Sequence, residues 1–190
     1  MNPATHFLLS WSIAGTCDIN KRERLLVTVA GIAPDLDAAG LLIDFVAPDP
    51  DRPLRYWSEY HHVLAHNLGF GLLVAGVVFA LSTRRRLTGA LALAAFHLHL
   101  VCDLIGARGP DGFQWPIPYL LPFSDKWQWI WSGQWALNAW PNVAITVAAL
   151  ACTFYVAWRR GVSPLEMISG NANAAFVDTL RARFGSPENA

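Results

Sequence analysis

The sequence predicts an all-α integral membrane protein built as a helical bundle. Of its 190 residues, 54% are hydrophobic and only 15% are charged, against roughly 25% charged in an ordinary soluble domain. Three continuous apolar runs, at 64–82, 87–105 and 139–158, each approach the ~20 residues with which an α-helix crosses a bilayer. The formal net charge is zero, which gives no support for a nucleic-acid-binding surface.

Two shorter apolar segments precede the three predicted spans. The first covers 5–17, and the second covers 24–33 and ends at Pro34. Both are too short to cross a bilayer completely, so we expect two short N-terminal helices that enter the membrane from one side. Residues 48–60 are polar and contain prolines, which predicts a loop.

A tryptophan- and proline-rich loop, 106–140, connects the second and third spans. Tryptophan concentrates at the membrane–water interface, so an aromatic anchor is the favoured interpretation of this loop. The alternative is a lid over a site that handles lipid. The loop holds six of the nine tryptophans: Trp115, Trp127, Trp129, Trp131, Trp135 and Trp140.

The sequence as a whole divides into two predicted parts. Residues 1–160 form a membrane-embedded helical domain, and 161–190 form a polar cytoplasmic tail with a possible amphipathic helix at 171–184. The three cysteines, at 17, 102 and 152, are far apart in sequence. We therefore expect free thiols and no disulfide framework.

Basic clusters predict the orientation of the bundle. They lie at 21–24, 84–86 and 159–160, and the positive-inside rule assigns all three to the cytoplasm. The histidines and the aspartates near them fall at the opposite ends of the same segments. Both patterns indicate a single polar cluster at the non-cytoplasmic face.

Histidine and aspartate together are the ligand chemistry of zinc, manganese or non-haem iron. The stretch FHLHLVCDLIG at 96–106 places His99 and Asp103 one helical turn apart on one face. His97 points about 160° away from His99 on a helical wheel, so we expect it to pack or to support a ligand. Ionisable residues inside spans are costly and usually mark a functional site.

Other interpretations of these residues stay open. A buried His–Asp pair can be a hydrogen-bonded pair, and the PDLD turn at 34–37 can simply end a helix. A proton or ion path would continue polar residues toward the cytoplasm. The cytoplasmic halves of the spans, such as LLVAGVVFALS and LTGALALAA, carry no charge, which argues against a transporter.

Five short motifs, taken in order, resemble a family of bacterial inner-membrane proteins described as metal-dependent hydrolases of the LexA-regulated type. The resemblance covers about residues 5–126. The matching motifs are Thr5-His6, PDLD at 34–37, the pair His61 and His66, the pair His99 and Asp103, and PFSD at 122–125.

The resemblance implies a membrane-bound hydrolase that uses a metal-activated water on a phosphoester or lipid-like substrate. That family is in turn distantly similar to zinc-dependent phospholipase C and single-strand nucleases. We expect one or two divalent ions, zinc first and manganese or iron as alternatives, in the bacterial inner membrane with lipids as neighbours. The expected metal ligands are His6, Asp35, Asp37, His61, His66, His99 and Asp103.

One departure from the family pattern concerns the substrate. The second histidine motif of the family resembles HRGxTHS, whereas this chain has HHVLAHN at 61–67. His62 therefore replaces an arginine and could act as a ligand or in acid–base chemistry, while Asp37 could serve as general base. The alternative to an enzyme is a membrane scaffold or lipid-binding protein with a structural metal.

Overall fold

The computed structural model describes residues 1–52, 55–109, 112 and 114–187, without the side chains at 58 and 59. This part of the chain is all-helical, as predicted, and its only extended pairings are two isolated bridges. The α-helices are α1 Pro3–Thr16, α2 Lys21–Ile32, α3 Gly40–Val46, α4 Arg55–Tyr60, α5 Leu68–Leu81, α6 Arg85–Gly106, α7 Trp140–Arg160 and α8 Gly170–Phe184. The described residues also form two 3-10 segments, Ala33–Ala39 and Pro164–Met167.

Three helical stretches are long and apolar enough to cross a membrane: Lys21–Val46, Arg85–Gly106 and Trp140–Arg160. The second and third match predicted spans. The first replaces the expected short second helix, because the chain stays helical past Pro34 through the 3-10 segment into α3. The run at 64–82 yields only the shorter helix Leu68–Leu81, and the expected loop at 48–60 contains α4.

Local sequence explains where the helices begin. The Asn2 side chain accepts a hydrogen bond from the Thr5 N–H at the start of α1. Asn20 and Glu23 form a reciprocal capping box at α2. Asn67 caps α5 by accepting from the Phe70 N–H at 2.9 Å, so α5 cannot extend back through the histidines before it.

Small residues bring α1, α2 and α6 close together. Buried alanines, Ala14, Ala30, Ala92 and Ala95, occupy the helix contacts. A Cβ atom at Gly31 would overlap the Ser10 side chain. Such contacts are typical of membrane bundles, where close backbone approach replaces the hydrophobic driving force between helices.

The two ends of the bundle differ in chemistry. At one end Arg24 forms a bidentate ion pair with Glu166, at 2.5 and 2.8 Å, and Glu23 accepts from the Arg84 backbone N–H. Helix α6 starts at this cationic end and carries Asp103 in its last turn. At a rise of about 1.5 Å per residue, the cationic end and Asp103 lie roughly 27 Å apart.

The tryptophan-rich connection is a packed cap on the other end. Ile117 is completely buried against Phe96 and Leu100 of α6, and Tyr119 stacks on Trp129 with ring centroids 4.1 Å apart. After α7, the helix α8 packs on the bundle through Ala157, Val177 and Leu180. An α-helix thus occupies the predicted position 171–184.

Candidate metal centre

Asp103 is the centre of a buried polar cluster. It lies in the last turn of α6 and is 2% exposed. The Met1 amino group contacts its Oδ1. Four histidine nitrogens surround its carboxylate: His6 Nε2 at 3.1 Å, His99 Nε2 at 3.0 Å, His66 Nε2 at 3.3 Å and His62 Nε2 at 3.6 Å.

The tautomer of His99 follows from its hydrogen bond. Its Nδ1 lies 2.8 Å from the carbonyl oxygen of Gly31; a carbonyl only accepts, so Nδ1 carries the proton. In the neutral ring Nε2 is then a bare lone pair, 3.0 Å from Asp103 and 3.6 Å from Asp35. Nε2 has no hydrogen-bond partner among the described residues. A metal cation bound between His99, Asp103 and Asp35 would be coordinated by all three, and it would offset the repulsion between the lone pair and the two carboxylates.

His66 has a carboxylate at each ring nitrogen. Nδ1 lies 2.8 Å from Asp37 and Nε2 lies 3.3 Å from Asp103. A neutral imidazole can donate from only one nitrogen, so the second contact requires a bound proton or a metal. Burial disfavours the charged ring, but the two carboxylates outweigh burial and raise the pKa of His66 to about 9. This part of the site therefore attracts positive charge.

Asp37 lies behind the histidines and orients them. One of its oxygens meets His61 Nδ1 at 2.9 Å, and the other meets His66 Nδ1 at 2.8 Å and the Ala65 N–H at 3.3 Å. A carboxylate that holds the far nitrogen of a ligating histidine is the usual support of a metal site. Asp37, an expected ligand and base, makes the contacts that such a supporting carboxylate makes.

Four side chains form the candidate ligand set. One ligand atom from each lies within 4.8 Å of all the others. Three of the four are buried, whereas Asp35 is 20% exposed at its side chain. The set consists of Asp35, His66, His99 and Asp103, all four of them expected ligands.

Besides Asp37, two further expected ligands, His6 and His61, lie beside this set. The ring of His6 stacks on His99, with centroids 3.6 Å apart and an interplanar angle of 16°. His61 stacks on Trp57 at 4.0 Å. His6 thus contacts two candidate ligands, His99 and Asp103, whereas His61 contacts Asp37, which also contacts His66. His97 faces elsewhere and bonds Leu93 and Tyr119.

His62 is buried in a backbone conformation that residues with side chains rarely adopt, with φ at +68°. Its Nδ1 has no hydrogen-bond partner in the part of the chain that is described. Burial and the neighbouring His66 hold the pKa of His62 well below its ordinary value. His62 is therefore a neutral imidazole with one free polar atom beside the candidate ligands.

A cavity of about 340 Å³ adjoins the cluster. Asp35, His61 and His62 line it on the polar side, and Trp57 and Trp115 stand among its other walls. Trp115 meets both histidines edge-on, at 5.1 Å from His61 and 4.9 Å from His62. The cluster is thus reachable from a pocket of the size that holds small ligands.

Sequence reasoning missed three supports of the site. The Gly31 carbonyl fixes His99. Gln134 in the tryptophan-rich loop is 2% exposed and donates to the Asp103 carbonyl at 2.8 Å. The backbone N–H of Trp57 donates to the Asp44 carboxylate at 2.8 Å and holds this residue in place. A glycine inside an apolar helix was the one visible signal, since such glycines often mark close backbone contact.

The family model of the YdjM inner membrane protein matches residues 1–174. Comparison with curated proteins and with solved structures gives no match. The matched range contains all the candidate ligands and all three helical stretches that can cross a membrane.

Proposed function

The chain belongs to the YdjM inner membrane protein family, and we propose that it is a metal-dependent hydrolase acting on a phosphoester or lipid-like substrate. The proposal rests on the Nε2 atom of His99. In the neutral ring its lone pair faces the carboxylates of Asp103 and Asp35 at 3.0 and 3.6 Å, and a metal cation bound between the three groups would hold them together.

The donor set suits zinc, with manganese or iron as alternatives. Imidazole is a borderline ligand and carboxylate a hard one, and all three metals accept this combination. Asp37 and the Gly31 carbonyl supply the supporting contacts that such histidines usually have. A divalent cation held there would polarise the scissile bond and lower the pKa of a bound water.

Residues around the cavity would bind and orient the substrate. Asp35 reaches the cavity and is the least buried of the four candidate ligands, so the substrate would approach from its side. His62 would contact the substrate through its free Nδ1. Hydrolysis of a phosphoester adds one water, breaks one P–O bond and leaves a phosphate group and an alcohol.

A structural metal in a non-catalytic membrane scaffold is the second candidate. Four protein ligands would complete a tetrahedral zinc shell and leave no open position. The ligand count favours this alternative, whereas the adjoining cavity favours the enzyme. The activity screen below separates the two.

The experiment is metal analysis of protein purified in detergent without chelator. His99→Gln and Asp103→Asn are compared with His97→Gln, a matched control two residues away on α6. We expect near-stoichiometric zinc, manganese or iron in the wild type and in the control, and a loss in the two site variants. Metal at background level in the wild type would overturn the proposal.

Protein that holds metal is then screened with p-nitrophenyl phosphomonoesters and phosphodiesters in lipid nanodiscs. Release of p-nitrophenol that disappears in His99→Gln supports the hydrolase. Stoichiometric metal without turnover of any ester would favour the structural site.

The cluster would face the non-cytoplasmic side of the membrane. The cationic end, with Arg24, Arg84 and Glu166, would then lie in the cytoplasm together with the segment from 161 onward. A green fluorescent protein fused after residue 190 should fluoresce, whereas alkaline phosphatase fused there should be inactive. The reverse result would overturn this orientation.

A further inference from the structure

The cavity beside the cluster is lined by both polar and apolar side chains. Asp35, His61 and His62 are among the polar ones, and Leu41 and Trp115 are among the apolar ones. At about 340 Å³ it lies near the lower limit of ligand pockets, roughly 300–1,000 Å³. A cavity of this volume and mixed lining suits a small ligand with a polar group and one hydrocarbon chain better than a bulky molecule.

Two buried atoms of cavity-lining residues have no hydrogen-bond partner in the described part of the chain. Asp35 Oδ2 and His62 Nδ1 make no hydrogen bond to any described residue. Buried polar atoms are nearly always paired, and both atoms belong to residues that line the cavity, so we expect a polar group of a ligand beside Asp35 and His62. The unusual backbone of His62, with φ at +68°, is the kind of strain that concentrates at ligand sites.

Two tryptophans form fixed apolar walls. The backbone N–H of Trp57 is held by Asp44, and its ring stacks on His61. Trp115 packs edge-on against Trp57, with centroids 5.8 Å apart. Rigid aromatic walls next to a charged cluster suit a ligand that is polar at one end and hydrocarbon at the other.

The apolar wall continues onto the outer surface of α3. Leu41 lines the cavity and is 45% exposed. Leu42, Phe45 and Val46, on the same helix, are 68%, 85% and 81% exposed. Since α3 ends a stretch that can cross the membrane, hydrocarbon would cover these side chains. A chain lying along Leu41 would therefore join the cavity to the bilayer.

We propose that the cavity binds a phosphoester amphiphile drawn from the surrounding bilayer. Its phosphate group would lie at Asp35 and His62, and one hydrocarbon chain would run past Trp57, Trp115 and Leu41. This inference rests on the proposed function, because a bound cation is needed to offset the negative charge of Asp35 beside a phosphate.

The test uses full-length, metal-loaded protein in lipid nanodiscs. The probe is decyl phosphate carrying bromine on its terminal carbon, which quenches tryptophan fluorescence on contact. Quenching that persists in Trp115→Phe measures contact with other tryptophans and is subtracted. We expect the remaining quenching to saturate, to be reversed by unlabelled decyl phosphate and to be unaffected by decanol.

Two neighbouring alanines provide a matched pair of variants. Ala38 lines the cavity, whereas Ala39 is exposed. Ala38→Phe should fill the cavity and weaken the saturable quenching by about tenfold or more, with metal content unchanged. Ala39→Phe should bind the probe as the wild type does.

Three results would overturn the lipid site. They are quenching that does not saturate, quenching that decanol reverses as well as decyl phosphate does, and quenching that survives Ala38→Phe. If the protein binds metal and hydrolyses soluble phosphoesters but fails this test, only the inference falls. If it binds no metal, the proposed function falls first.

Discussion

The Nδ1–H group of His99 on α6 donates to the Gly31 carbonyl oxygen of α2 across 2.8 Å, although the two residues are 68 positions apart. This contact decides which ring nitrogen faces Asp103. It exists because α2 and α6 approach closely at small residues. Helix packing in the membrane thus sets the chemistry of the polar cluster.

Gly31→Ala should therefore damage both the fold and the metal site. The added Cβ would overlap Ser10, and overpacking of this kind typically costs about 1–3 kcal/mol. The measurements are thermal unfolding in detergent and metal content. Gly76→Ala is the control, because a Cβ there meets nothing within 4 Å and should be neutral or stabilise by up to about 1 kcal/mol. Normal metal content in Gly31→Ala would contradict the predicted dependence of the site on this helix contact.

Asp37→Asn should weaken metal binding without abolishing it. The asparagine keeps the shape but supports His61 and His66 less well, and loss of such support typically costs about 10- to 100-fold in affinity. Competition with a fluorescent zinc chelator measures the change, and Asp125→Asn in the exposed turn is the control. Complete loss of metal would instead identify Asp37 as a ligand.

The His97–Tyr119 hydrogen bond should affect stability alone. His97 donates from Nδ1 to the Leu93 carbonyl, so its Nε2 accepts from the Tyr119 hydroxyl at 2.8 Å. We expect a coupling of about 0.5–1.5 kcal/mol in a double-mutant cycle of His97→Phe and Tyr119→Phe, measured by thermal unfolding. Metal content should stay at the wild-type level in all three variants. A loss of metal in any of them would link this pair to the cluster.

Two ion pairs at the cationic end should differ in strength. Arg24 and Glu166 form a bidentate pair with side chains 13% and 9% exposed; Glu166→Gln should cost about 1.5–3 kcal/mol and expose α8 to protease. Arg84 and Asp18 lie 3.5 Å apart and are 56% and 87% exposed. Asp18→Asn should leave the unfolding temperature unchanged. Equal effects would show that burial does not separate the two pairs.

The fold class was predictable because apolar length and charge placement are local properties of a sequence. It was not predictable which segments form all three membrane-spanning stretches. The run at 64–82 looks continuous, but Asn67 caps a helix that begins only at Leu68. His61 and His66 instead turn their rings toward Asp37. Side-chain contacts across 24 and 29 residues overrode the apolar pattern.

Pro34 was expected to end the second helix, but the helical path continues past it. A proline usually ends a helix, yet it fits the first turn of the 3-10 segment Ala33–Ala39, where its missing N–H is not needed. The helical path therefore continues to Val46. This continuation is what carries Asp35 and Asp37 up to the histidines.

Much of the polar cluster could be anticipated from the spacing of histidine and aspartate. Their assignment as metal ligands stays a prediction. The supports could not be anticipated, because the Gly31 carbonyl and Gln134 act through tertiary contacts. Gly31 is visible only as a glycine inside an apolar helix, which does not say what its carbonyl contacts, and the amide of Gln134 carries no signature in a single sequence.

The separation of the candidate ligands along the chain has a consequence for biogenesis. Asp35, His66, His99 and Asp103 belong to segments that leave the ribosome one after another. Until α6 is inserted, the early aspartates and histidines lack their later partners, and unpaired ionisable groups in a bilayer are costly. Membrane insertion of α6 is therefore the step that completes the cluster, and a nascent chain stalled before α6 should be a preferred target of membrane quality-control proteases.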